Sequence, residues 1–75
     1  DGVEVRRITA GGRVLGRTIQ QVDVRRVYGI NIIAVERNGH TNVEFNADYT
    51  FAEGDTITVI GNVDKIDRFE QDLEE

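Results

Sequence analysis

The sequence predicts a small α+β domain of order β-α-β-β-β-α with a mixed or antiparallel sheet. Three observations carry this. The β-branched run Ile30-Asn31-Ile32-Ile33-Ala34-Val35 is bounded by Gly29 and by Asn38-Gly39, as a strand entering a hairpin would be. A second alternating segment, Thr56-Ile57-Thr58-Val59-Ile60, follows the turn Glu53-Gly54-Asp55. The chain then closes on an amphipathic helix whose apolar stripe is Val63, Ile66, Phe69 and Leu73. The 75 residues contain no proline, repeat or low-complexity stretch, so residues 1–75 form one domain.

Val3 to Thr9 alternates loosely and reads as the first strand, broken by Ala10-Gly11-Gly12. Thr18 is placed to cap a short helix carrying Ile19 and Val22 on one face. Asp23 re-caps a second short turn from Val24 to Tyr28, which Gly29 stops. Asn38-Gly39 suits a two-residue hairpin because both residues tolerate positive φ. The return strand is expected over His40 to Phe45, with Val43 and Phe45 on one side, and Asn46 to Glu53 then form a connecting loop. Asn62 caps the last helix. Its far end crowds Glu70, Asp72, Glu74 and Glu75 against the negative end of the helix dipole, an arrangement that fraying, or truncation of a longer chain, would explain.

Composition excludes several functions. Nine basic residues against fourteen acidic give a net charge of −5, which disfavours a nucleic-acid partner and a bare anionic membrane. The longest apolar run, Ile32 to Val35, is far short of a membrane span. The start carries no signal-peptide pattern, and Asp1 in place of Met is what a piece of a longer chain would show. Absent cysteine rules out a disulfide or thiolate metal site, and is compatible with a cytoplasmic setting. A single histidine, His40, reads as a surface turn residue, and no serine offers a hydroxyl nucleophile. Glu4, Glu44 and Glu70 read as a solvated face, and the glycines form no phosphate cradle. No enzyme, metal or cofactor is expected; a binder, sensor or structural piece is.

The central strand points further. With strict alternation Ile30, Ile32 and Ala34 occupy one face and Ile33 and Val35 the other, so both faces need cover. Either the helices straddle the sheet, or one face meets a partner chain or ligand. A domain this small gains stability from self-association, so a homodimer is expected. Arg37 sits beside Asn38 at the end of the apolar run, where a cation suits an anionic ligand with a flat apolar part. At a strand end near a turn, its loss is expected to leave the fold intact.

The run Leu15-Gly16-Arg17-Thr18-Ile19 through Tyr28-Gly29-Ile30-Asn31-Ile32-Ile33-Ala34-Val35, then Asn46-Ala47-Asp48 and Ala52-Glu53-Gly54-Asp55-Thr56-Ile57-Thr58-Val59-Ile60-Gly61, resembles the C-terminal subdomain of RCK proteins, also called the TrkA-C domain. The resemblance covers nearly the whole chain. Ala47 stands where the family often has proline, which leaves that loop less rigid. The resemblance implies a dimeric regulatory module of a potassium channel, potassium uptake system or cation/proton antiporter, held at the inner face of the membrane through its parent or partner. It also implies cyclic di-AMP as a ligand between subunits, with Ile32 and Ile33 as apolar walls and Arg37, Asn38 and Asn46 as polar contacts. A pure oligomerisation module without a small ligand is the main alternative, and a metabolite-binding module on a soluble enzyme is a third.

Overall fold

The structure, a computed structural model, describes residues 2–74. Strand β1, Val3–Thr9, leads through a 3-10 turn at Gly12–Val14 to two single-turn helices, α1, Ile19–Val22, and α2, Val24–Val27. Then come β2, Asn31–Arg37, β3, His40–Asn42, β4, Thr56–Asn62, and helix α3, Val63–Leu73. The strands form one sheet in the order β1-β4-β2-β3, every neighbouring pair antiparallel.

Local chemistry sets the boundaries. Thr18 and Gln21 form a reciprocal capping box at α1, each side chain bonding the other's backbone N–H. Asp23 does not cap α2 with its side chain as expected. It adopts left-handed backbone, and its carboxylate accepts from Arg26 Nε at 2.6 Å. Asn38 and Gly39 both have positive φ, the geometry of the two-residue turn that the sequence predicts between β2 and β3. The return strand stops at Asn42 rather than Phe45, because the Asn42 side chain accepts from Glu44 N–H and turns the chain away. Val43 is therefore left exposed, and Phe45 is only half-buried.

The register assigns the two faces of the sheet. Ile8 and Arg6 lie opposite Ile57 and Val59, which in turn lie opposite Val35 and Ile32. Helix α3 covers this face with Ile66, Phe69 and Leu73, and Val22, Val24, Tyr28 and Phe51 complete one continuous core. The other face presents Val3, Val5, Ile60 and Ala34, crossed by an Arg7–Glu36 ion pair. Val3 and Val5 are exposed there. The helices therefore do not straddle the sheet.

Strict alternation along β2 fails at one residue. Register shifts between Ile32 and Ala34, so Ile33 is an extra residue in a bulge. Ile30, Ile32 and Val35 consequently serve the core side, while Ala34 pairs with Thr58 on the open side. Ile33 is left 42% exposed.

The acidic end of α3 is not a frayed surface. Arg6 reaches Glu4, Asp67 and Glu70, and Asp72 accepts from the Tyr28 hydroxyl and faces Arg13. Glu4 and Glu70 thus join one network that ties α3 to β1 instead of forming a solvated face. Glu75 lies outside the described residues.

Ile30 packs over Gly61, where an added Cβ would stand 2.8 Å from Ile30 Cγ2. Gly61→Ala should therefore cost about 1–3 kcal/mol by overpacking. It should lower the urea midpoint clearly, while Gly2→Ala, with open space around it, should not.

Candidate ligand site

Strand β3 pairs with β2 only at Val35 to Arg37, so among the described residues β2 carries no strand along its outer edge at residues 31–34. A cleft of about 290 Å³ lies there, walled by Ile19, Val24, Ile32 and Phe45 and rimmed by Asp23, Arg25 and Asn31. The chain reaches this place because residues 46–51 are tied back to α1. Gln20 N–H donates to Ala47 C=O, Ile19 N–H to Tyr49 C=O, and Phe51 N–H to Arg17 C=O, with bond lengths of 2.9 to 3.0 Å. Of the expected ligand residues only Ile32 lines this cleft; Asn46 is exposed and follows the lining residue Phe45 in the chain. Ile33 stands exposed next to Ile32 on the bulge.

The other end of β2 holds a polar cluster. The antiparallel pairing of Val35 with Ile57 and of Glu36 with Thr56 leads Arg37, next along β2, to Asp55, the residue just before β4. Arg37 Nε and Nη2 donate to the two carboxylate oxygens of Asp55, each at 2.7 Å, and Nη2 also donates to Thr50 C=O at 3.0 Å. The guanidinium lies 4.8 Å from the Tyr49 ring centroid, and the Tyr49 hydroxyl donates to Asp55 at 2.9 Å. Ala52 N–H supplies the fourth bond to that carboxylate. Asp55 is fully buried, whereas the Arg37 side chain keeps 44% exposure. Asn38 sits in the adjoining turn.

This corrects the expectation that Arg37 is a dispensable residue at the strand end. It is the charge partner of a buried carboxylate. The sequence holds both residues in plain view, but their pairing across 18 positions depends on the β2–β4 register and has no local signature.

The Arg37 guanidinium, aided by the Ala52 N–H and the Tyr49 hydroxyl, holds the Asp55 carboxyl below its ordinary value of 3.8 against the opposing effect of burial. The same contact raises Arg37, and burial, followed by the Asp55 bond, raises the Tyr49 hydroxyl. A carboxyl whose pKa is lower in the folded chain stabilises the fold at pH values above its unfolded value. That contribution disappears as pH falls through the folded one. Urea unfolding followed downward from pH 7 should show stability falling below about pH 4. The fall should be shallower in Asp55→Asn, which has no such proton to take up.

Among the described residues no group of three His, Cys, Asp or Glu side chains is placed to hold a metal. No helix among them is long and apolar enough to cross a membrane. The model of the TrkA-C domain family matches residues 3–73. The chain belongs to the TrkA-C domain family. Relatives in this family include domains of potassium transport proteins. This chain is 39% identical over 64 residues to Ktr system potassium uptake protein C of Bacillus subtilis (strain 168), covering 85% of the chain and 29% of that protein. It therefore spans less than a third of that relative.

Among solved structures, the RCK C domain of the potassium transport protein KtrA in complex with cyclic di-AMP superposes with a TM-score of 0.87 at 31% identity, over 95% of this chain and 84% of that one. The RCK C domain dimer of S. agalactiae BusR, also with cyclic di-AMP, gives 0.84 at 22% identity over 99% and 94%. BusR has also been solved with its promoter DNA, and at 24% identity that likeness concerns the fold alone.

Proposed function

We propose that this TrkA-C domain works as a homodimeric sensor of cyclic di-AMP that regulates a potassium or cation transport system at the inner face of the membrane. The parent or partner would be a channel, an uptake system or an antiporter. The observation that carries the reading is the 31% identity, across 84% of its length, to an RCK C domain solved with cyclic di-AMP.

The local chemistry supports it. The ligand has two adenines, which need apolar walls, and two phosphodiesters, which need donors. Ile32 and the exposed Ile33 offer the walls beside Phe45, and Arg37, Asn38 and Asn46 are the polar candidates. Arg37 to Ile32 is five residues of strand, roughly 16 Å. One chain therefore presents walls and cation far apart, and a twofold partner with an antiparallel β2 segment would bring its own Arg37 toward the first chain's Ile32. A ligand with its own twofold axis suits that arrangement, one molecule per two chains. Binding favours whichever subunit arrangement holds the ligand better, and that differential affinity is the signal passed to the transporter.

Cyclic di-AMP in hundredfold excess over its Kd should stabilise the dimer by about 2.7 kcal/mol per bound molecule. A thermal-shift series should show a melting temperature that climbs with ligand concentration, while AMP at equal phosphate concentration leaves it in place. A melting temperature indifferent to cyclic di-AMP would favour an oligomerisation module without a ligand.

A further inference from the structure

We infer that Asp55 and Tyr49 are positioning residues that hold the Arg37 guanidinium as a fixed anion receptor, presenting its remaining amino group, Nη1, to a ligand phosphate. The inference rests on the proposed cyclic di-AMP site and adds to it the Glu53-Gly54-Asp55 turn, which the ligand reading leaves without a role.

Three constraints act on one guanidinium. The carboxylate of Asp55 takes both Nε and Nη2, which fixes the plane of the group and its rotation within that plane. Tyr49 lies against it, with 4.8 Å from guanidinium carbon to ring centroid, and restrains movement out of the plane. Thr50 C=O takes the second hydrogen of Nη2. Nη1 has no hydrogen-bond partner among the described residues, and the Arg37 side chain keeps 44% exposure while Asp55 is fully buried. The carboxylate is held in its turn by Ala52 N–H and the Tyr49 hydroxyl, so the receptor stands on two anchored groups. A free surface arginine must lose side-chain freedom when a phosphate binds. Here folding has already removed that freedom.

Charge alone makes the opposite prediction. Asp55 offsets the charge of Arg37, so replacing it with asparagine should strengthen anion binding if electrostatics dominated. If orientation dominates, Asp55→Asn should weaken cyclic di-AMP binding by roughly threefold to tenfold, the cost of immobilising one long side chain. The sign of the change therefore separates the two.

The test is calorimetry of cyclic di-AMP with the wild type, Asp55→Asn, Tyr49→Leu and Tyr49→Phe. It should be run at low temperature, where circular dichroism shows each variant folded. Weaker binding is expected in Asp55→Asn and Tyr49→Leu, with near wild-type binding in Tyr49→Phe, which keeps the ring. Tyr49→Leu leaves the carboxylate in place, so it tests positioning even if Asp55→Asn does not fold. Wild-type or tighter binding in Asp55→Asn or Tyr49→Leu would overturn the inference and leave the cyclic di-AMP reading standing. Absence of binding by the wild type would remove both.

Discussion

Asp55→Ala should destabilise the domain by about 2–4 kcal/mol, the range for stripping the charged partner from a buried hydrogen-bonded network. The carboxylate accepts four bonds and is fully buried, and its removal strands the Tyr49 hydroxyl and the Ala52 N–H. Arg37 can recover part of its loss by hydration, because its side chain is partly exposed, which keeps the cost off the top of the range for a fully buried pair. A chain of this length has a total margin of only roughly 4–11 kcal/mol, so the variant should show a large drop in urea midpoint. Arg37→Ala should also melt earlier than wild type, because Asp55 then keeps a charge without its cation. Binding experiments on Arg37→Ala therefore need folding checked first.

Ile33→Asp should weaken the proposed dimer by about 100-fold or more in Kd while leaving the monomer folded. Ile33 is the bulged residue on the free edge of β2 and is 42% exposed in a single chain. A carboxylate there meets water in the monomer. In a twofold interface it would be buried without a partner, twice over. Sedimentation equilibrium should show the variant at one chain mass where the wild type is at two. A stable Ile33→Asp dimer would move the interface elsewhere, and the open sheet face with Val3, Val5 and Ile60 would be the next surface to test.

These two residues also mark how far the sequence is legible. Turn and cap chemistry is local, so Asn38-Gly39, the Thr18 cap and the Ile66, Phe69, Leu73 stripe can all be read from neighbouring residues alone. The bulge at Ile33 cannot. In a continuous β-branched run an extra residue alters no local preference, yet it moves Val35 to the core face and leaves Ile33 outside. Charge partners are hidden for a related reason. Arg6 finds Asp67 and Glu70 more than 60 positions away, which turns an apparently unfavourable acidic helix end into an attachment to β1. Arg37 finds Asp55 through strand register. Of the expected ligand residues, Ile32 lines the cleft, while Arg37 and Asn38 lie at the far end of the strand. A site divided in this way within one chain makes chemical sense if two chains share it.

That sharing is most directly measured by isothermal titration of cyclic di-AMP into the domain, with the oligomeric state determined in the same buffer. Saturation is expected at one cyclic di-AMP per two chains, with the protein dimeric at the end of the titration. Saturation at one ligand per chain on a monomer would contradict a shared site, and no heat at high ligand concentration would contradict cyclic di-AMP sensing itself.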